Sequence, residues 1–168
     1  MNQQAMCDTI YQYCLLAEDN DSVAANNYSN SYIIGSLSAA GQWNSYAKKV
    51  DEDYKSNKKS YANSGINEAA WKIYENTSDK EALALALGWM HDVVDTDDEY
   101  NHADTYAALL YALKRYDEAE TAAKQAIELA KRSGENYDQT KTLYWAKSIP
   151  SASRLLIAQL GFPIPQSG

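Results

Sequence analysis

The fold is decided by residues 104–135, which read DTYAALLYALKRYDEAETAAKQAIELAKRSGE. Apolar residues recur every three or four positions on both sides of the polar pair Lys114 and Arg115, and this spacing predicts two helices that fold back on each other. Acidic residues open the second helix and basic residues close it, which is the order that the helix dipole favours. Gly134 follows as a C-terminal cap. The stretch therefore predicts a helical hairpin.

The segment before this hairpin repeats its pattern. A shift of about 33 residues superimposes Ala86 on Ala119 and Val93 on Ala126, and a period of that size indicates an array of two-helix repeats. Ala86 and Ala119 are expected to be buried where paired helices approach closely, because a small residue recurs at that place in each repeat. A third copy is predicted over residues 137–160.

Three further helices are predicted ahead of the repeats. They cover Gln3 to Glu18, Val23 to about Gly41, and Trp43 to about Tyr54. The run Asn63 to Gly65 predicts a break between two helices. Ser78 with Glu81 matches a capping box, which predicts the start of another helix.

Length and composition favour one helical domain. The chain has 168 residues, 45% of them hydrophobic and spread along its whole length, so it can bury a sizeable core. Few prolines and glycines favour long helices over a turn-rich sheet. We therefore expect a single all-α domain of antiparallel helix hairpins over residues 1–168, with N-terminal helices at 1–62 and repeats at 63–168.

The charge of the chain excludes several classes of partner. A net charge of −8 and a pI of about 4.7 give a surface that nucleic-acid phosphates and anionic lipids would repel. No apolar run is long enough to cross a bilayer, so membrane insertion is not expected. The N-terminal sequence lacks the basic and apolar regions of a signal peptide, so the expected alternatives are a cytoplasmic protein, which is the default, or a piece of a longer chain.

The two cysteines do not form a redox motif. Cys7 and Cys14 lie two turns apart on one predicted helix, roughly 10 Å along its axis, which is too far for a disulfide between them. The chain contains no CxxC. We expect buried free thiols and no thiol–disulfide exchange by this chain alone.

An acidic stretch holding both histidines is the best candidate for a metal site. Its potential ligands are His91, Asp95, Asp97, Asp98, Glu99 and His102. The stretch lacks the glycine and the final glutamate of a calcium loop, and we interpret it as a solvated turn between repeats. Because the chain also lacks a nucleophile motif and a phosphate-binding loop, we predict no metal, no cofactor and no enzymatic activity, with a metal-dependent hydrolase as a distant alternative.

The hairpin itself resembles a known repeat. The run from Arg115 to Glu118, followed by Ala119 and Ala126, resembles the second helix of a tetratricopeptide repeat. Lys114 stands where that repeat usually has glycine, and Lys131 stands near its usual proline. The resemblance implies a tetratricopeptide-like, right-handed array of helix hairpins.

A second resemblance covers residues 43–140. The runs at 42–46, 66–71 and 104–111 are similar to the C-terminal helical region of certain bacterial thioredoxin-like proteins, whose thioredoxin domain is absent here. This resemblance implies an accessory helical region, and it gives the alternative function of an accessory domain in a thiol oxidoreductase system. If the chain is a fragment of a secreted protein of that kind, the expected location becomes the periplasm.

The preferred prediction is a non-enzymatic interaction or scaffold module. In a tetratricopeptide-like array the first helices line a concave surface that binds a peptide or protein. The residues predicted to face that surface are Trp71, Glu75, Asp104, Ala108, Tyr111, Lys141 and Tyr144. Aromatic rings would supply contact area and isolated charges would supply orientation. The alternative is that Trp71 and Tyr111 belong to the core between repeats.

Overall fold

The computed structural model describes residues 3–138 and 140–141, which are mostly helical. The helices are α1 (Gln3–Ala17), α2 (Ser22–Ala39), α3 (Trp43–Asn57), α4 (Asn63–Asn76), α5 (Lys80–Val94), α6 (Tyr100–Ala112) and α7 (Tyr116–Ser133), with a short 3-10 turn at Lys58–Ser60. No β-strand occurs in these described ranges, so the all-α prediction is confirmed. Most of the predicted third repeat, over residues 137–160, lies outside them.

The chain divides into two compact units between Tyr61 and Ala62. We call α1–α3 the N-terminal unit and α4–α7 the C-terminal unit. The expectation of a single domain over the whole chain stays a prediction.

In the N-terminal unit, α2 packs against both α1 and α3. The buried apolar side chains come from α2 and α3 and are Ala25, Ile33, Leu37, Tyr46, Ala47, Val50 and Tyr54. None of the described side chains of α1 is buried. The core of the unit is therefore built on α2 and α3, and α1 packs against α2.

A polar cluster supports this small core. Asp53 of α3 accepts hydrogen bonds from Asn30 of α2 at 2.6 Å and from Asn57 at 3.1 Å. Tyr61, beyond the 3-10 turn, donates to the other carboxylate oxygen of Asp53 at 2.5 Å. Burial and then Asp53 raise the pKa of Tyr61, so its hydroxyl remains a donor. We call these four residues the Asp53 cluster.

In the C-terminal unit, α6 packs against α4, α5 and α7. The large side chains that are most deeply buried are Ile66, Ile73, Leu83, Met90, Val93, Leu109 and Leu110. Ala86 of α5 and Ala119 of α7 are buried, which confirms their predicted burial. Within the described part of the chain, every helix falls short of the length or the apolar character that crossing a membrane would require.

Left-handed backbone ends two helices of this unit. Gly134 follows α7 with a φ of 75°, and its amide donates to the carbonyl of Ala130, so the predicted cap is confirmed. Lys114, in the turn between α6 and α7, has a φ of 63°. In that conformation the lysine Cβ crowds the following carbonyl, whereas a glycine would not.

Two predicted starts of helices in this unit are wrong. Asn63–Gly65 is the first turn of α4 rather than a break, because small polar residues are tolerated where the backbone amides have no partner within the helix. The first helix of the hairpin predicted at residues 104–135 begins at Tyr100 instead of Asp104. Just ahead of it, Asp97 accepts a hydrogen bond from the amide of Glu99 at 2.7 Å and forms a tight turn.

The predicted capping box of α5 is also wrong. Asp79 precedes the helix with extended backbone, and its side chain accepts a hydrogen bond from the amide of Ala82 at 2.9 Å. Asp79 therefore caps α5 instead of Ser78, because an aspartate one residue closer to the helix reaches the same free amides.

The cysteines are free but not buried. Cys7 and Cys14 both lie on α1, and both are half-buried. The prediction of buried thiols is wrong because α1 packs on one side only and places no described side chain in the core.

Candidate functional site

A pocket of about 530 Å³ opens on one face of the C-terminal unit. Residues of α4, of α6 and of the segment after α7 line it: Asn67, Trp71, Tyr100, Asn101, Asp104, Thr105, Asn136 and Asp138. The volume lies in the range of sites that hold a small ligand or a large side chain. Two aromatic rings, two carboxylates and three amides make the lining amphipathic.

Asp104 is the most unusual group in the pocket lining. Its residue is only 9% exposed, and Thr140 donates to its Oδ1 at 2.5 Å. Burial raises the pKa of Asp104, and the hydrogen bond from Thr140 only partly opposes that shift. Among the described residues, no lysine or arginine forms an ion pair with Asp104. The pocket therefore contains a carboxylate that has lost much of its hydration and has gained no cation from the described residues.

Tyr100 and Thr140 hold Asp104 in place. The hydroxyl of Tyr100 lies 2.9 Å from that of Thr140. When Thr140 donates to Asp104, its oxygen is left to accept the proton of Tyr100, which gives a buried chain of two hydrogen bonds. Burial raises the pKa of Tyr100, so this donor keeps its proton.

Asn67 and Trp71 form the α4 side of the pocket. They lie one helical turn apart, so their side chains share a face. The Oδ1 atom of Asn67 is buried and has no hydrogen-bond partner among the described residues. The ring of Trp71 packs on Tyr74 with a centroid distance of 5.0 Å and is itself half-buried, so it is neither a full core residue nor a free surface ring.

The structure brings two of the predicted site residues, Trp71 and Asp104, into this pocket. Glu75 is exposed and does not line it. Tyr111 is half-buried and packs on Tyr116, with ring centroids 5.4 Å apart. Ala108 is fully buried and belongs to the core. The predicted surface as a whole therefore stays a prediction.

The remaining two predicted residues, Lys141 and Tyr144, come after α7 in the sequence. Lys141 lies 3.6 Å from Asp138 and 4.5 Å above the ring of Tyr137, next to the pocket lining but not part of it. Tyr144 lies outside the described residues.

Electrostatics connects the pocket with its surroundings. Burial raises the pKa of Tyr74, and the charges of Asp104, Tyr111 and Glu75 raise it further. Tyr74 therefore lies within electrostatic reach of Asp104, which lines the pocket.

Six lining residues were not predicted from the sequence. They are Asn67, Tyr100, Asn101, Thr105, Asn136 and Asp138. Helical spacing could have found three of them once α6 begins at Tyr100, because Tyr100 and Asn101 lie one turn before Asp104 and Thr105 lies one turn after Asn101. The last two come from the segment after α7, where Asn136 has irregular backbone and Asp138 lies in the helical turn that follows it.

Four of the six candidate metal ligands form two separate pairs, and the other two, Asp98 and Glu99, are exposed. His91 lies 3.4 Å from Asp95 on the exposed face of α5, and His102 lies 3.2 Å from Asp97 in a buried position. Within the described ranges, no three potential ligands converge.

Asp97 instead joins the starts of two helices. It accepts hydrogen bonds from Asn63 at 2.9 Å and from the amide of Glu99 at 2.7 Å. Burial raises the pKa of Asp97, but these two hydrogen bonds and the nearby His102 outweigh burial and lower the pKa below its usual value. The ionised carboxylate of Asp97 therefore supports the fold.

Comparison of the chain with protein-family models, with curated proteins and with solved structures finds no match.

Proposed function

We propose that the chain is a non-enzymatic binding module that takes a peptide segment of a partner protein on the α4 and α6 face. The observation that carries this proposal is the pocket, which combines the half-buried ring of Trp71 with the buried carboxylate of Asp104. Binding sites for proteins centre on aromatic side chains in desolvated pockets, with a few polar groups that fix orientation.

The packing of the helices supports a tetratricopeptide-like array as the frame of this site. In a stack of two-helix repeats, the first helix of one repeat packs against both helices of the preceding repeat. Here α6 packs against both α4 and α5 and also against its own partner α7. The left-handed backbone at Lys114, where such a repeat usually has glycine, is a second supporting feature.

A selection of peptides tests the proposal directly. A random peptide library displayed on phage is passed over the intact immobilised chain, and the affinity of each enriched peptide is measured for variants. Trp71→Ala is expected to weaken binding by about 30-fold, which corresponds to the roughly 2 kcal/mol of an aromatic hot spot.

Trp43→Ala is the matched control. Trp43 is also half-buried and also packs on a tyrosine three positions later, with a centroid distance of 5.6 Å to Tyr46, but it belongs to the N-terminal unit. This variant should change affinity by less than about twofold. A selection that enriches no peptide, or peptides that bind both variants equally, would reject the proposal.

A further inference from the structure

We propose that the pocket on α4 and α6 binds the cationic end of a lysine or arginine side chain of the partner peptide, with Asp104 as the counter-charge. The inference rests on the proposed function and specifies which residue the partner must supply. It follows from three features of the pocket. Among the described residues, its buried carboxylate has no cation and its buried amide oxygen has no donor, and two aromatic rings line the same pocket.

The carboxylate is the first feature. Asp104 accepts a hydrogen bond from Thr140 on Oδ1, and no other described side chain donates to it. A carboxylate taken from water normally needs a cation or several donors to replace its hydration. The raised pKa of Asp104 has the direction that burial without a cation produces. A cation that enters the pocket would replace that lost hydration.

The unused acceptor is the second feature. The buried Oδ1 of Asn67 has no donor among the described residues, although Asn67 lines the same pocket as Asp104. An ammonium group offers three donors and a guanidinium group offers five, and neither has an acceptor. Such a group can therefore satisfy Asn67 and Asp104 together. An anionic ligand would instead meet the carboxylates of Asp104 and Asp138.

The aromatic rings are the third feature. Trp71 and Tyr100 line the pocket beside the acceptors. Aromatic faces attract cations and also cover the methylene stem that carries the charged end of lysine or arginine. The net charge of −8 favours the approach of a basic peptide over an acidic one.

The experiment uses amino-acid derivatives that differ in one property. N-acetyl-lysine amide and N-acetyl-arginine amide carry the cation, while N-acetyl-norleucine amide has an aliphatic side chain without charge. Each is titrated into the intact isotope-labelled chain, and the indole signal of Trp71 and the amide signals of residues 100–105 are followed by NMR. The two cationic derivatives should shift these signals to saturation, and added salt should weaken them. Equal binding of norleucine, or no saturable shift with either cation, would overturn the inference.

Two isosteric variants locate the charge that matters. Asp104→Asn keeps an acceptor for Thr140 but removes the negative charge, and it should weaken the binding of both cationic derivatives by about tenfold or more. Asp97→Asn removes a different charge, one close to α6 that does not line the pocket, and should change binding by less than about twofold. Equal effects of the two variants would mean that only general charge attracts the probes, which contradicts the inference.

The library peptides separate this inference from the proposed function. Enriched peptides that need Trp71 and contain a lysine or arginine whose replacement by norleucine abolishes binding support both. Enriched peptides that need Trp71 but contain no basic residue, and that bind Asp104→Asn normally, leave the binding module standing and overturn the cation site. If no peptide depends on Trp71, the proposed function fails, whatever the small derivatives do.

Discussion

The C-terminal unit keeps its large apolar side chains inside, whereas the N-terminal unit leaves many of them on the surface. In the N-terminal unit, the exposed large hydrophobic residues are Met6, Tyr13 and Leu16 of α1 and Val23, Tyr28 and Tyr32 of α2. Among the described side chains of the C-terminal unit, only Tyr116 is of this kind. The difference shows that apolar residues along a helix, such as those of α1 and α2, do not by themselves determine whether a neighbouring helix covers them.

The two units also differ in what joins their helices. In the C-terminal unit, Leu109 and Leu110 of the central helix α6 are fully buried among apolar neighbours. In the N-terminal unit, the carboxylate of Asp53 connects α2, α3 and the segment that ends at Tyr61. Apolar packing should therefore decide stability in one unit, and a hydrogen-bonded cluster should decide it in the other.

The largest expected effect tests the apolar side of this comparison. Leu109→Ala removes a fully buried side chain from α6 and should lower the free energy of unfolding by about 2–5 kcal/mol. Leu16→Ala alters a leucine of α1 that is 72% exposed, and its effect should stay within about 0.5 kcal/mol. Urea unfolding followed by far-ultraviolet circular dichroism measures both. A loss from Leu16→Ala as large as that from Leu109→Ala would mean that the α1 surface is covered in solution.

The next effect tests the polar side. Asp53→Ala leaves Asn30, Asn57 and Tyr61 without their shared acceptor and should destabilise the N-terminal unit by about 1–3 kcal/mol. Hydrogen exchange of the amides in α2 and α3 would locate the loss.

The neighbouring residue supplies the control for this variant. Glu52 is exposed, and its carboxylate lies 3.6 Å from Lys49. Glu52→Ala should change stability by less than about 1 kcal/mol, because an exposed ion pair contributes little. If both variants behave alike, the Asp53 cluster does not hold the unit together.

The sequence predicted best where local signals and packing agree. The second helix of the predicted hairpin was marked by acidic residues at its start, basic residues at its end and Gly134 after it. The observed helix α7 has all three features. The start of α6 differs from the prediction because the turn before it depends on one hydrogen bond, which the amide of Glu99 donates to the carboxylate of Asp97 and which no periodic pattern reveals.

Two residues of the candidate site could be predicted because they lie at regular helical positions. Trp71 and Asp104 lie at helical positions that spacing can assign to a face, and both line the pocket. Asn136 comes from irregular backbone and Asp138 from the helical turn after it, and where this segment meets α4 and α6 depends on tertiary structure. The burial of Asp104 could not be read from the sequence either, because aspartates on helices are usually exposed.

The pH dependence of stability should distinguish two carboxylates of the C-terminal unit. The lowered pKa of Asp97 means that the unfolded state binds its proton more tightly, so Asp97 contributes stability above the usual aspartate pKa that is lost as the pH falls through the folded value. The raised pKa of Asp104 has the opposite sign, and stability falls as the pH rises from the usual value to the raised one.

Replacement of each aspartate by asparagine checks these signs. At neutral pH, Asp97→Asn should lower the free energy of unfolding and weaken the loss of stability in acid. Asp104→Asn, which keeps an acceptor for Thr140, should maintain or raise stability at neutral pH and remove the decline above the usual aspartate pKa. Urea unfolding across the acid range measures both profiles. A destabilisation of the same size from the two variants at neutral pH would contradict the assignment.

The smallest expected effect compares the turns of the two units. Lys114 and Asn20 both have a φ of 63°, the first between α6 and α7 and the second between α1 and α2. Left-handed backbone costs a lysine roughly 1–2 kcal/mol, and a glycine avoids this cost. Glycine also gives the unfolded chain more freedom, which offsets part of the gain, so Lys114→Gly should stabilise the fold by about 0.5–1 kcal/mol. Because asparagine tolerates this conformation, Asn20→Gly should change stability by about a few tenths of a kcal/mol at most. Thermal unfolding of both variants measures the difference. An equal gain at Asn20 would show that flexibility of the turn, and not relief of a crowded Cβ, is responsible, and the two turns would then be physically alike.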